Sequence, residues 1–110
     1  MNYLIFPALT RSPNTIANIV DHSCKYHNVD FAWLKKPIRD RKRVAIRQMV
    51  FRCLRVEFKH TFSSIAKHFD MDHTTVIHGI AKLNDLMDVY PEIRNNYLEY
   101  IINVKKSIKQ

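Results

Sequence analysis

Glycine is almost missing from this chain, with one in 110 residues, Gly79. A loop that cradles nucleotide phosphates needs several glycines at fixed spacing, because only a backbone without Cβ atoms approaches a phosphate so closely. These residues therefore hold no P-loop and no dinucleotide fingerprint. Two cysteines, Cys24 and Cys53, are too few for a disulfide framework, and both fall on apolar helical faces, so they read as reduced core thiols. No apolar run approaches the roughly 20 residues that span a bilayer, and no signal-peptide pattern is present. The chain is expected to be soluble and cytoplasmic, without a membrane partner. Only four prolines interrupt it.

What remains is the composition of an ordered helical domain, 46% hydrophobic and 25% charged. At 110 residues it is long enough for one modest core. Charge of one sign is concentrated. Ten of the 18 Lys and Arg residues lie in residues 35–59, against two acids, Asp40 and Glu57, so this stretch holds the whole formal excess of +8 and the rest is balanced. An isolated lysine on a helix is usually only solvated, which suffices for Lys105, Lys106 and Lys109. An entire excess gathered in one loop and one helix fits a phosphate footprint better, since neutralising phosphates releases counterions.

Residues 1–12 read as a nearly charge-free extended arm, with Tyr3-Leu4-Ile5-Phe6 too short to be more than a strand, and residues 1–9 are a possible protein contact. Residues 13–110 read as the domain. Ser12-Pro13 looks like an N-cap and N1 proline ahead of a first helix carrying Ile16, Ile19, Val20 and Cys24. Asp30 starts a short second helix with Phe31, Trp33 and Leu34, which ends before Pro37. After a basic loop, Ile46, Met49, Val50, Cys53, Leu54 and Phe58 mark a long central helix with Arg47, Arg52, Arg55 and Lys59 on its other side. Thr61 caps a short helix facing inward through Phe62, Ile65 and Phe69, and Tyr90-Pro91 precedes a last helix with Ile93, Tyr97, Ile101, Val104 and Ile108 inside.

Between these lies Asp72-His73-Thr74-Thr75-Val76. Asp72 suits an N-cap, because its carboxylate accepts from free N–H groups of the first turn. Val76, Ile80, Leu83 and Met87 recur at helical spacing, leaving His73, Thr74 and Thr75 at the polar helix start. Alone, this pattern is a capping motif. Behind the short segment of residues 64–69 it reads as the turn and recognition helix of a helix-turn-helix at residues 61–87, whose N-terminal side chains present hydrogen-bonding groups to base edges.

The run IAKHFDMDHTTVIHGIAKL, residues 65–83, resembles the signature of the C-terminal DNA-binding domain of DnaA, the bacterial replication initiator. The resemblance extends over about residues 16–108 and takes in Ile16, Ile19, Arg39, Arg41 and Arg47-Gln48. Met71 stands where a basic residue is usual, the turn is one residue shorter, Ser63 and Ile46 stand at common proline positions, and Gly79 replaces a small Ala or Ser. The ATPase portion of that protein has no counterpart in these residues. The resemblance implies an all-α bundle of about six helices with a Trp-repressor-like helix-turn-helix, binding double-stranded DNA. It implies that Asp72, His73, Thr74 and Thr75 read the major groove, that Arg39 enters the adjacent minor groove, and that Arg41, Lys42, Arg43, Arg47, Arg55 and Lys59 hold phosphates.

Other chemistry has weaker support. Cys24 with His27 has a ligand-like spacing, but no second pair completes a tetrahedral metal site. Ser63 and Ser64 near His68 lack an orienting group and an oxyanion turn, so capping accounts for them better than catalysis. His22, His27, His60 and His78 read as structural or incidental. No catalytic residue, metal or cofactor is expected. The expected function is sequence-specific DNA binding by a stand-alone module that regulates replication or transcription, nucleoid-associated and monomeric. The competing expectation is a protein-interaction module that keeps the fold without base readout.

Overall fold

A computed structural model describes residues 13–109. Among them there are six α-helices and no strand: α1 Ile16–His27, α2 Phe31–Lys35, α3 Arg41–Arg52, α4 Phe62–His68, α5 His73–Val89 and α6 Pro91–Lys109. The expected all-α bundle is the fold found. The expected arm, and with it the contact assigned to residues 1–9, lies outside the described residues.

Helix starts follow local capping chemistry, with one correction. The cap of α1 is Thr15, whose side chain accepts from the Asn18 N–H at 3.2 Å, so the helix begins three residues beyond Pro13. Pro13 instead lends its carbonyl to the Asn18 side chain at 2.7 Å. Asn28 ends α1 in the left-handed region, φ 57°, where Asn is tolerated. Asp30 takes the N-cap position of α2 without a side-chain hydrogen bond. Thr61 caps α4 by accepting from the Ser64 N–H at 3.1 Å. Such a cap contributes about 1 kcal/mol.

The basic loop is shorter than expected. Asp40 accepts from the Arg43 N–H at 2.9 Å and starts α3 at Arg41, so Arg41, Lys42 and Arg43 form its first helical turn. At its other end α3 passes into a π-helical turn, Cys53–Glu57, closed by Lys59 at φ 65°.

One core joins all six helices. α6 packs on α1 and buries Tyr97, Tyr100, Ile101 and Val104 in the core that also holds Ile19, Val20 and Cys24, and the fully buried Tyr100 hydroxyl meets Ser23 Oγ at 2.6 Å. A phenol can be buried there because its polar end has this partner. α3 packs most extensively on α5, and Gly79 sits at that contact: a Cβ on it would stand 3.2 Å from the Phe51 ring. Gly79 thus lets α5 lie close to α3. Cys24 and Cys53 are free and buried, and burial pushes their thiols up to about 11 and about 12, which leaves them unreactive.

Candidate nucleic-acid interface

The corner between α4 and α5 is built by backbone hydrogen bonds. Phe69 and Met71 donate back to α4, Met71 N–H to the Ala66 carbonyl at 2.9 Å, and Asp70 takes φ 55°, a conformation its short polar side chain tolerates. Lys35 of α2 pairs with Asp70 at 2.9 Å and ties the corner to the rest of the bundle. Phe69 is fully buried beneath the corner against Phe51 and Phe31. The turn is thereby fixed from both sides.

Asp72 then starts α5, accepting from the Thr74 N–H at 3.1 Å, and these bonds hold its carboxyl below the usual carboxylate range. His73 Nδ1 lies 3.3 Å from the same Asp72 oxygen. Val76, Ile80, Leu83 and Met87 are buried, and His73, Thr74 and Thr75 are exposed, so the helix presents its polar N-terminal end as the sequence suggested.

Between α5 on one side and α3 with the segment before it on the other runs a groove of about 720 Å³. Its polar and basic lining includes Arg39, Arg47, Gln48, Asp72, Thr75, His78 and Lys82, beside the apolar Val44, Phe51 and Met71. Arg39, which lies 33 residues before Asp72, is thus brought to the same concave surface as the start of α5. His78 and Lys82 belong to this surface as well. Neither residue is among those the sequence expectation assigns to the interface, although both follow Thr75 at helical spacing, which is the signal that places them there.

The basic residues fall into two groups. Arg39, Arg41, Lys42 and Lys59 are exposed, and Arg55 is half-buried with its guanidinium 4.3 Å from the Phe62 ring centre and donating to the His60 carbonyl at 3.3 Å. Lys42 Nζ lies 5.9 Å from the Trp33 ring centre. Arg43 and Arg47, expected at the phosphate-facing surface, are buried. Arg47 donates through Nε to the Leu34 carbonyl at 2.7 Å and through Nη2 to the carbonyls of Ile38, at 3.0 Å, and Lys36. It closes the chain between α2 and α3. Arg43 is 6% exposed and stacks on Trp33 at 4.3 Å, with Nε 3.4 Å from Asp40. Arg47 is thus held through Nε and Nη2 by three carbonyls while it also lines the groove, and Arg43 is covered by an indole.

The remaining candidates have structural partners. Ser64 Oγ accepts from Thr61 Oγ1 at 2.8 Å within the α4 cap, and His68 stacks on Phe31 at 5.0 Å. His27 packs on Tyr26 and Tyr100. Among the described residues no three His, Cys, Asp or Glu side chains gather to hold a metal ion, and no helix is long and apolar enough to cross a membrane.

The family model of the bacterial dnaA protein helix-turn-helix matches residues 16–83, which cover α1 through the middle of α5. No solved structure matches the chain.

Proposed function

The chain belongs to the bacterial dnaA protein helix-turn-helix family, a family of DNA-binding modules, and from that premise we propose that it binds duplex DNA with sequence preference. The observation that carries this is the shared groove surface of Arg39, Asp72, Thr75, His78 and Lys82. The start of α5 enters the major groove, where Asp72 accepts from cytosine N4, His73 donates to a purine, and Thr74 and Thr75 meet base edges or the thymine methyl. Arg39 reaches the neighbouring minor groove, whose width and potential favour a guanidinium at A·T-rich steps. Phosphates are held by the exposed Arg41, Lys42 and Lys59 and by Arg55, whose stacking on Phe62 limits its freedom before binding. The protein works as a DNA-bound monomer in the cytoplasm and regulates replication or transcription by occupying its sites.

The decisive experiment is selection from random duplexes with the wild type and with H73A/T74A. Both side chains are exposed, so the double variant keeps its melting temperature and its salt-dependent non-specific binding. It loses about tenfold or more of the preference for the selected site, since a good base contact discriminates by about 1–3 kcal/mol. A wild type without preference, or a variant that keeps all of it, refutes base readout and favours a protein-interaction module on the same fold.

A further inference from the structure

The outer face of α5 carries a charge pattern that DNA contact leaves half unexplained. Thr75, His78, Lys82, Asp85 and Val89 are all exposed and fall within about 80° of arc on the helix. The first three belong to the groove rim, and the last two continue the same stripe beyond it. Towards the end of α5 the sign reverses. Asp85 and Asp88 lie there, followed by Glu92 and Glu99 on α6, and none of the four has an ion pair among the described residues. Carboxylates near a helix C-terminus oppose the macrodipole; the last turn of α5 holds no basic residue of its own, and the cation that reaches it is Arg94 of α6, which donates to the Met87 carbonyl at 3.2 Å rather than to a carboxylate. An unpaired acidic end would also repel a phosphate backbone. Beside it, Val89 and Tyr90 are 65% and 48% exposed.

Read in the opposite direction, the stripe complements itself. We propose that, without DNA, two copies of this chain pair two-fold through α5, antiparallel, and close the groove over its base-reading side. A two-fold axis between residues 83 and 84 sets Lys82 of one copy opposite Asp85 of the other, twice, and brings the exposed Val89 opposite His78 at the groove rim. Such isologous pairing needs one patch that matches its own reverse, which the order basic, acidic, apolar along one stripe provides. The contact is dominated by a few exposed charges, so it is weak and sensitive to salt. DNA then competes with the second copy for the same face, and the acidic half of the stripe acts as a DNA mimic. This competition rests on the DNA-binding reading; the pairing itself does not.

Sedimentation equilibrium of the full chain tests it, at about 10 mM salt, where the screening length is about 30 Å, and at about 1 M, where it is about 3 Å. A monomer–dimer equilibrium is expected at low salt and monomer at high salt. Lys82→Asp and Asp85→Lys each place like charges opposite at both symmetric contacts and weaken dimerisation at least about tenfold, while K82D/D85K restores it. A wild type that stays monomeric at low salt overturns the proposal, and so does a swap that fails to rescue dimerisation while circular dichroism shows the variant folded. Binding of a random-sequence duplex, followed by anisotropy, separates the two readings. Asp85→Lys, which removes a carboxylate outside the groove rim, weakens the dimer and keeps DNA binding. If the swap rescues dimerisation but the wild type does not bind the duplex, the pairing stands and the DNA reading falls.

Discussion

Arg47 distinguishes a structural guanidinium from a phosphate ligand, and Arg47→Met tests the difference. Its side chain donates to the carbonyls of Leu34, Lys36 and Ile38, and Leu34 is fully buried. Methionine fills the aliphatic part of the site and deletes every donor. A hydrogen bond to a charged group contributes about 1.5–3 kcal/mol, and a buried acceptor left without a partner costs about 1–3 kcal/mol. The carbonyls of Lys36 and Ile38, whose bonds to Arg47 are only partly buried, can recover water, and releasing a buried charge returns part of its desolvation cost. The net loss is therefore about 3 kcal/mol, dominated by the Leu34 carbonyl. In a domain of this size that lowers the melting temperature by about 12 to 24 °C. Arg41→Met is the control, because Arg41 is exposed in the first turn of the same helix. It changes stability by no more than about 0.5 kcal/mol, but reduces the slope of log affinity against log salt by about 0.9 for the phosphate contact removed. Thermal unfolding by circular dichroism and salt titrations of duplex binding give both quantities. If Arg47→Met melts like the wild type and loses about one unit of salt slope, Arg47 is a phosphate ligand and the assignment from its carbonyl contacts is wrong.

Three further outcomes follow from the same structure. Burial lowers the His27 pKa from 6.5 to about 4, and its Nε2 is buried without a partner, so from pH 6.5 down to about 4 the unfolded chain takes up a proton that the folded one resists. Stability from this group is unchanged above pH 6.5 and falls by about 3 kcal/mol on acidification to about pH 4; His27→Phe flattens that acid limb in melting curves recorded against pH. Gly79→Val forces methyl groups into the Phe51 ring and destabilises by about 1–3 kcal/mol in denaturant titrations, whereas a melt unchanged from the wild type shows that α3 and α5 have slack at this point. Arg39→Ala leaves stability unchanged and removes A·T preference at one edge of the selected motif; an unchanged motif and affinity rule out the minor-groove role.

Local patterns made several elements legible. Thr61 and Asp72 sit at helix starts because a side-chain oxygen three or two residues before a free N–H needs nothing remote to reach it. The Val76, Ile80, Leu83 and Met87 stripe is fixed by the pitch of the helix, and so is the exposure of His73, Thr74 and Thr75. Ser12-Pro13 predicts an earlier start for α1 than the structure shows, because the Thr15 hydroxyl, which accepts from the Asn18 N–H, is the cap that forms. Tyr100 does not stand out among the inward residues of α6, because the stripe through Tyr97 and Ile101 accounts for that face without it and its burial depends on meeting Ser23 of α1.

The sequence by itself determined that this is a helical chain with one strongly basic stretch and a helix-turn-helix signature, because composition, capping and periodicity act over a few residues. Tertiary structure alone decided which basic residues face outward. Arg43 and Arg47 carry the same charge as Arg41 and Lys42, but α2 and the strand of chain leading to α3 fold over them and supply an indole and three carbonyls. It also decided that Arg39 and Lys82, 43 residues apart, border one groove, and that Phe51 and Gly79 set how closely its walls approach. Those relations depend on how helices cross, which no spacing along the chain specifies.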